Sequence, residues 1–358
     1  MRAAVFVEQD KPLSIEEVTP NPPGPRDAVV RITASGVCHS DLSVMTGGLP
    51  FPPPCILGHE GTGIIEEVGD QVTTLKKGDR VVAAFVPACG SCFYCINGQS
   101  NLCDVGAASF GASHATRADG TPLGAMTGLG TFAEAMVVEE SALVKVETDV
   151  PDEQLALIGC GVTTGVGAAL NTAQVRPGST VAVIGCGGVG QAVIQGARIC
   201  GASRIFAIDP VELKRKTAEQ LGATDLIDPG QGDPVAQVQA LTGGRGADYA
   251  FEVIGLPETI LQAYATARRG GTVTIVGAAR MDSMVTFSAF QLFYEEKKLL
   301  GCIYGSAQVR RDFPRFIALT ETGRLDLGSM VSRRIQLDEV NDAFRAMQAG
   351  EVIRSVIV

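Results

Sequence analysis

The stretch Thr180–Gly190, TVAVIGCGGVG, constrains this chain more than any other. A β-branched apolar run empties into glycines at 185, 187 and 190, which reads as a strand, a tight turn and the start of a helix. A pyrophosphate can settle on the N–H groups of a helix N-terminus only where no side chain stands between it and the backbone. Gly185 is expected to make the turn, Gly187 and the following Gly188 to give that access, and Gly190 to let the helix lie close on its strand. A glycine-rich turn also occurs without any nucleotide, so context decides. A second apolar run, Arg204–Ile208, ends in Asp209, nineteen residues past Gly190, where a carboxylate that accepts from adenosine ribose hydroxyls belongs. An acid there repels a 2′-phosphate and favours NAD over NADP; the other reading of Asp209 is a helix cap before Pro210.

A length of 358 residues suggests two or three domains, and 46% apolar residues suffice for buried cores. The net charge of −10 argues against a surface for nucleic acid or an anionic membrane. Partners are expected to be small molecules or further copies of the chain. No basic start precedes an apolar core at the N-terminus, and no apolar run approaches the roughly 20 residues of a membrane span, so a cytoplasmic protein is expected. In that setting ten cysteines read as metal ligands and buried thiols rather than disulfides.

Along residues 1–160, short apolar runs (3–7, 27–33, 63–68, 79–85, 132–138) broken by Gly and Pro predict a β-rich, barrel-like domain. From Val162 the pattern changes. Runs beginning at 180, 204, 225, 248, 271 and 299 alternate for the most part with helical segments, which predicts a six-stranded, doubly wound α/β sheet. After about residue 304, helical patches at 311–321 and 337–348 and an apolar strand at 352–358 are expected to return to the first domain. The expected domains are therefore 1–161 with a lobe at about 88–104, then 162–303, then 304–358. Leu299–Ile303 is a candidate edge strand for pairing two subunits, or else a covered edge.

Cys89, Cys92, Cys95 and Cys103 are spaced C-x2-C-x2-C-x7-C. Four thiolates on a short irregular lobe match a closed tetrahedral zinc site, with an iron–sulfur cluster as the competing reading. A second set is dispersed: Cys38 in GVCHSD, His59 and Glu60 in LGHEG, and Cys160 in GCG. Two thiolates and an imidazole leave the fourth position of a zinc open, as a catalytic site requires. Singly, Cys160 also reads as a core thiol and His59 as a satisfied histidine.

GVCHSD, GHEG, the four-cysteine lobe, GCGVTTG, VIGCGGVG and the terminal GEVIRS, in that order, resemble the zinc-containing medium-chain dehydrogenase/reductase family, specifically its alcohol dehydrogenases near class III. The resemblance spans essentially the whole chain. It implies a GroES-like catalytic domain, a Rossmann NAD-binding domain, an active site in the cleft between them, and two zincs per chain. Catalytic zinc would sit on Cys38, His59 and Cys160, structural zinc on the lobe. The implied reaction is reversible hydride transfer between a primary alcohol, medium-chain or aromatic, and NAD.

The same resemblance assigns roles residue by residue. Ser40 would take the substrate proton, Asp41 would orient His59, and Glu60 would be the carboxylate near the metal. His39 and Arg354 would meet the pyrophosphate and Lys214 the adenosine ribose. Thr164 and Val189 would lie against the nicotinamide, with Leu49 and Phe85 in the pocket wall. Ser43 stands where many class I members end the proton relay with a histidine. Gly48-Leu49-Pro50-Phe51 replaces acidic residues of the glutathione-linked enzymes, which favours an apolar alcohol over a thiol adduct of formaldehyde, glutathione- or mycothiol-type. A catalytically silent NAD-binding protein that keeps only the lobe is the reading from outside the enzymes. A polyol dehydrogenase would more often carry Glu at position 160. The long loop 104–130, with its turn at 118–120, suggests a homodimer over a tetramer. Cys55, Cys186, Cys200 and Cys302 take no role, and His114 is expected in a loop.

Overall fold

The computed structural model describes residues 1–108 and 112–358, with Ala107 and Ala108 described by backbone alone. Ser109, Phe110 and Gly111, in the middle of the long loop, lie outside the described residues. The chain divides into two compact units. One comprises Met1–Gly161, Gln308–Gly323 and Val331–Val358; the other comprises Val162–Ala307 and Arg324–Met330.

The first unit is built on two mixed sheets. The long strand Asp27–Gly36 lies at the centre of the larger one. It pairs antiparallel with Gly61–Val68, with Ala135–Glu139 and with the C-terminal strand Arg354–Ile357. That last pairing sets Val356 opposite Gly36, so the chain's end returns to the strand that leads into Cys38. Beneath, Phe6, Val44, Leu57, Phe132, Val340 and Phe344 form one apolar cluster. The helix Val340–Gln348 buries Val340, Ala343, Phe344 and Met347 at i, i+3, i+4 and i+7, one face of a helix. The segment read as a long loop contains a short helix, Asp104–Ala108, and a hairpin of Ser113–Thr116 with Pro122–Ala125. His114 therefore lies in a strand, and its carbonyl accepts from Asn21 N at 2.9 Å.

The second unit is a six-stranded parallel sheet in the order Asp225–Ile227, Arg204–Ile208, Thr180–Ile184, Ala247–Glu252, Ala267–Ile275, Lys298–Gly301. All six strands correspond to the apolar runs of the sequence. In order of first appearance this is 3-2-1-4-5-6, the doubly wound Rossmann arrangement, whose crevice opens at the carboxyl ends beside the first strand. Val181, Val183, Phe206, Ala207 and Phe251 are fully buried, as strands covered on both faces must be. The helix Gly188–Ile199 lays Val193, Ile194 and Ala197 on that sheet.

Two boundaries differ from the sequence expectation. The return to the first unit falls at 307/308 rather than 303/304, and Arg324–Met330 belongs to the Rossmann unit. The reason is local. The fully buried Gln195 donates from Nε2 to the Asp326 carbonyl at 2.9 Å and accepts from Asp326 N at 2.7 Å, while Leu325 and Leu327 are buried beside it. One helical run, Asp152–Thr172, is 21 residues long and apolar enough to cross a membrane by length and composition, contrary to the expectation that none would be. Within the protein 78% of its apolar window is buried, so that surface is already covered.

Candidate active site

Cys38 lies two residues past the strand Asp27–Gly36 and starts the helix His39–Met45 as its N-cap, in extended backbone. Asp41, three residues on and fully buried, fixes this corner: its Oδ2 accepts from Cys38 N at 3.0 Å and its Oδ1 from Gly58 N at 3.1 Å. The same Oδ1 faces His59 Nδ1 at 3.1 Å. A carboxylate that accepts from Nδ1 holds the imidazole in the tautomer whose Nε2 is free to ligate. His59 Nε2 is buried and has no hydrogen-bond partner. Cys160 reaches the same place from the wide helical turn Ile158–Val162, where hydrogen bonds skip to the fifth residue.

Cys38, His59, Glu60 and Cys160 are all buried, and their donor atoms lie within 4.8 Å of one another. The Cys38 thiol is held well below the usual thiol range, chiefly by its hydrogen bond with Cys160 and, against burial, by His59. Burial works to lower the His59 pKa, but the Asp41 carboxylate and Cys38 outweigh it and raise it to about 10. An orphaned buried nitrogen beside two sulfurs, one of them inclined to be a thiolate, is the donor set of a zinc ion with an open position. The residues fit the metal.

Glu60 accepts from Gly161 N at 3.0 Å through Oε1, and its Oε2 pairs with the Arg354 guanidinium. Both members of the pair are buried, and Gly36 is what makes room, since a Cβ there would meet Glu60 Oε2 at 2.1 Å. The ion pair was not expected. Arg354 keeps one buried donor, Nε, without a partner. Ser40 Oγ lies 3.8 Å from Cys38 Sγ, and Phe85 packs edge-on to the His59 ring with centroids 5.8 Å apart. His39 is exposed at the start of its helix, and Leu49 packs partly buried against the Phe6 cluster.

In the lobe, Cys89, Cys92, Cys95 and Cys103 bring their sulfurs within 4.8 Å of one another. Backbone N–H groups point at them: Cys92 N to Cys89 Sγ at 3.3 Å and Gly106 N to Cys103 Sγ at 3.3 Å. Backbone hydrogen bonds from Ser91 and Cys92 lower the Cys89 thiol to about 6, whereas burial pushes Cys95 up to about 12. All ten cysteines are free thiols. Burial also pushes Cys55 up to about 12, the behaviour of an inert core thiol.

In the second unit the glycine turn takes the shape its spacing implies. Gly185 has φ +91°, a left-handed conformation that side chains rarely adopt. A Cβ on Gly190 would fall 2.0 Å from the Gly185 carbonyl, whereas one on Gly187 would meet nothing within 4 Å. Gly188 and Val189 open the helix. Asp209 is 5% exposed; Oδ2 accepts from Cys186 N at 2.8 Å and Oδ1 from Val211 N at 2.9 Å. The carboxylate thus fastens the glycine turn as well as closing its strand. Lys214 lies in the helix Glu212–Leu221, and Thr164 is half-buried in the helix Thr163–Gly167.

One residue escaped sequence reasoning here. Gln191 is fully buried, and its Nε2 donates to the carbonyls of Cys186 and Lys214, both at 2.8 Å. It ties the turn to the helix that carries Lys214. A polar residue in the first turn of a largely apolar helix was the available signal.

Two family models match the chain: the alcohol dehydrogenase GroES-like domain over residues 24–148 and the zinc-binding dehydrogenase over residues 188–322. A putative alcohol dehydrogenase D of Mycobacterium tuberculosis is 40% identical over 99% of both chains. An S-(hydroxymethyl)glutathione dehydrogenase of Synechocystis sp. is 40% identical, again over 99% of each. Among solved structures, the benzyl alcohol dehydrogenase of Acinetobacter calcoaceticus superimposes with a TM-score of 0.93 at 32% identity, covering 99% of this chain and 98% of that one.

Proposed function

This chain belongs to the zinc-containing medium-chain dehydrogenase family as a zinc-dependent alcohol dehydrogenase, and from that premise we propose that it interconverts a primary alcohol, medium-chain or aromatic, and its aldehyde with NAD. The observation that carries the reading is the buried set of two sulfurs and one orphaned imidazole nitrogen. When bound, the zinc supplies Lewis acidity to the substrate oxygen and the dinucleotide supplies the hydride acceptor. Cys38 and Cys160 bring negative charge to the metal, and Asp41 keeps His59 pointed at it. Ser40 takes the hydroxyl proton, and Phe85 and Leu49 keep the pocket apolar.

The cofactor end of the reading rests on the glycine turn, whose open Gly187 and following Gly188 present backbone N–H groups to a pyrophosphate. His39 and Arg354 are assigned to that pyrophosphate, Arg354 with its unpartnered Nε. Asp209 and Lys214 are assigned to the adenosine ribose, and Thr164 and Val189 to the nicotinamide. Structural zinc is assigned to the lobe. A reducing, cytoplasmic setting fits ten free thiols.

A homodimer joined at the strand Lys298–Gly301 is part of the same reading. That strand ends its sheet, and near it in sequence Leu299, Ile303, Phe293 and Met284 are 39%, 51%, 76% and 83% exposed. Sedimentation should give twice the chain mass; four times it would favour a tetramer.

A second reading, oxidation of a formaldehyde–thiol adduct, is favoured by the Synechocystis relative and opposed by the apolar Leu49-Pro50-Phe51. Turnover of benzyl alcohol, octanol, and formaldehyde with glutathione or mycothiol, each with NAD and NADP, separates the two. Activity on the thiol adduct alone sinks the proposed substrate. One zinc per chain instead of two, without turnover, sinks the enzyme reading in favour of a silent dinucleotide-binding protein.

A further inference from the structure

Dinucleotide choice in a fold of this kind is read from the acid that closes the second strand, and here that acid has a neighbour outside the motif. Arg215 donates from Nη1 to the Asp209 carbonyl oxygen at 2.6 Å, and its Nη2 stands 3.0 Å from Asp228 Oδ2. The Arg215 side chain is only 12% exposed. Asp228 follows the strand Asp225–Ile227, which runs parallel to Arg204–Ile208 with Ile227 opposite Ile208, and Asp209 N bonds to the Ile227 carbonyl at 3.2 Å. Asp209 and Asp228 therefore end adjoining strands, and Arg215 bridges them. Three formal charges meet there, two negative and one positive, with a sum of −1.

A guanidinium is the side chain best shaped to grip a phosphate, through two parallel N–H bonds. In a dinucleotide-binding fold an arginine near this strand end is what accommodates a 2′-phosphate. Arg215 has the right chemistry in the right place, yet its donors are turned to Asp228 and to the backbone of Asp209.

We infer that Asp228 is a specificity-determining residue: by holding Arg215 it withholds the guanidinium from a phosphate on the adenosine ribose, so the site takes the dinucleotide with a free 2′-hydroxyl and rejects its 2′-phosphorylated counterpart. The inference rests on the proposed use of NAD. It places the discrimination on a pair, Arg215 with Asp228, and not on Asp209 alone. Exchanging Asp228 for Asn keeps an oxygen for Gly230 N, which now bonds to Oδ1 at 2.8 Å, so the turn Pro229–Gln231 stays capped. Only the charge goes, and the local sum rises from −1 to 0.

The test uses the zinc-loaded full-length enzyme and needs no alcohol substrate. NADH and NADPH are titrated by nicotinamide fluorescence into wild type, Asp228→Asn, Arg215→Gln and the double variant, with a thermal melt on each. Asp228→Asn should raise the NADPH-to-NADH affinity ratio about tenfold, and adding Arg215→Gln should return it to the wild-type value. A ratio within twofold of wild type in a folded Asp228→Asn protein overturns the inference. So does a gain that persists without Arg215. If Asp228→Asn fails to fold, Asp228→Ser, which also caps the turn, is read in the same way. Wild type that binds neither dinucleotide, or prefers NADPH, removes the NAD reading itself; wild type that prefers NADH while the variant gains nothing removes this inference alone.

Discussion

The two metal-ligand clusters are made from the same chemistry and differ in everything else. The lobe gathers its four sulfurs from fifteen consecutive residues, 89–103, three of the cysteines only half-buried. The other cluster draws on residues 38, 59 and 160, all buried, and depends on a strand end, a loop and a wide helical turn meeting at one point. A site closed by local spacing can organise its own segment and needs the metal to do so. A site assembled by tertiary structure is held by the fold, and its metal is free to serve chemistry. The lobe's zinc should therefore matter to folding and the dispersed zinc to turnover.

The largest effect should come from Cys160→Ala. Losing one of three ligands should cost about a thousandfold in kcat/KM, the scale expected when several kcal/mol of transition-state stabilisation disappear. Metal analysis should fall from two zincs to one while the melting temperature stays within a few degrees. A large drop in melting temperature would erase the contrast between the clusters. Asp41→Asn should come next, with a loss of roughly 10- to 100-fold in zinc affinity or activity, because an amide sets one oxygen and one NH2 donor where two carboxylate oxygens now serve His59 Nδ1, Gly58 N and Cys38 N, so the corner that orients His59 cannot be satisfied in full. Full activity in that variant would break the claim that Asp41 orients the ligand.

Cys95→Ala should reverse the pattern. Zinc should again fall to one, but here the melting temperature should drop by on the order of 10 °C and proteolysis should begin between residues 88 and 104, with kcat changed less than threefold at low temperature. The smallest effect sharpens the comparison at the glycine turn. Gly187→Ala has open space for its methyl and should fold normally while weakening NADH binding about tenfold. Gly190→Ala places a methyl 2.0 Å from the Gly185 carbonyl and should show its loss in the thermal melt instead. Equal behaviour of the two would mean that Gly187 gives the pyrophosphate no special access.

How legible each feature was follows from the range over which it is written. The lobe's spacing and the six β-branched runs are local, and the spacing of Gly185, Gly187 and Gly190 encodes one turn. Cys38, His59 and Cys160 became legible together only through motifs read across the whole chain. The Glu60–Arg354 ion pair joins residues 294 apart and depends on Gly36 lacking a side chain, so neither partner's surroundings announce it. Arg354 drew attention for its place in GEVIRS, which says nothing about a buried carboxylate. The Arg215–Asp228 contact and the two hydrogen bonds of Gln191, to Cys186 and Lys214, were hidden for another reason: each runs from a helix side chain to a turn or a neighbouring helix, and residue spacing does not encode how those elements meet.

The short return Arg324–Met330 means that the Rossmann unit is not a cassette. A fragment cut at residues 162 and 307 would carry all six strands yet lose both hydrogen-bond partners of the Gln195 amide and uncover the apolar surface that Leu325 and Leu327 now seal. Recombination between relatives meets the same obstacle. A single crossover before residue 324 joins a hook from one parent to a socket from the other, so chimaeras should tolerate exchange only when both pieces come from the same source.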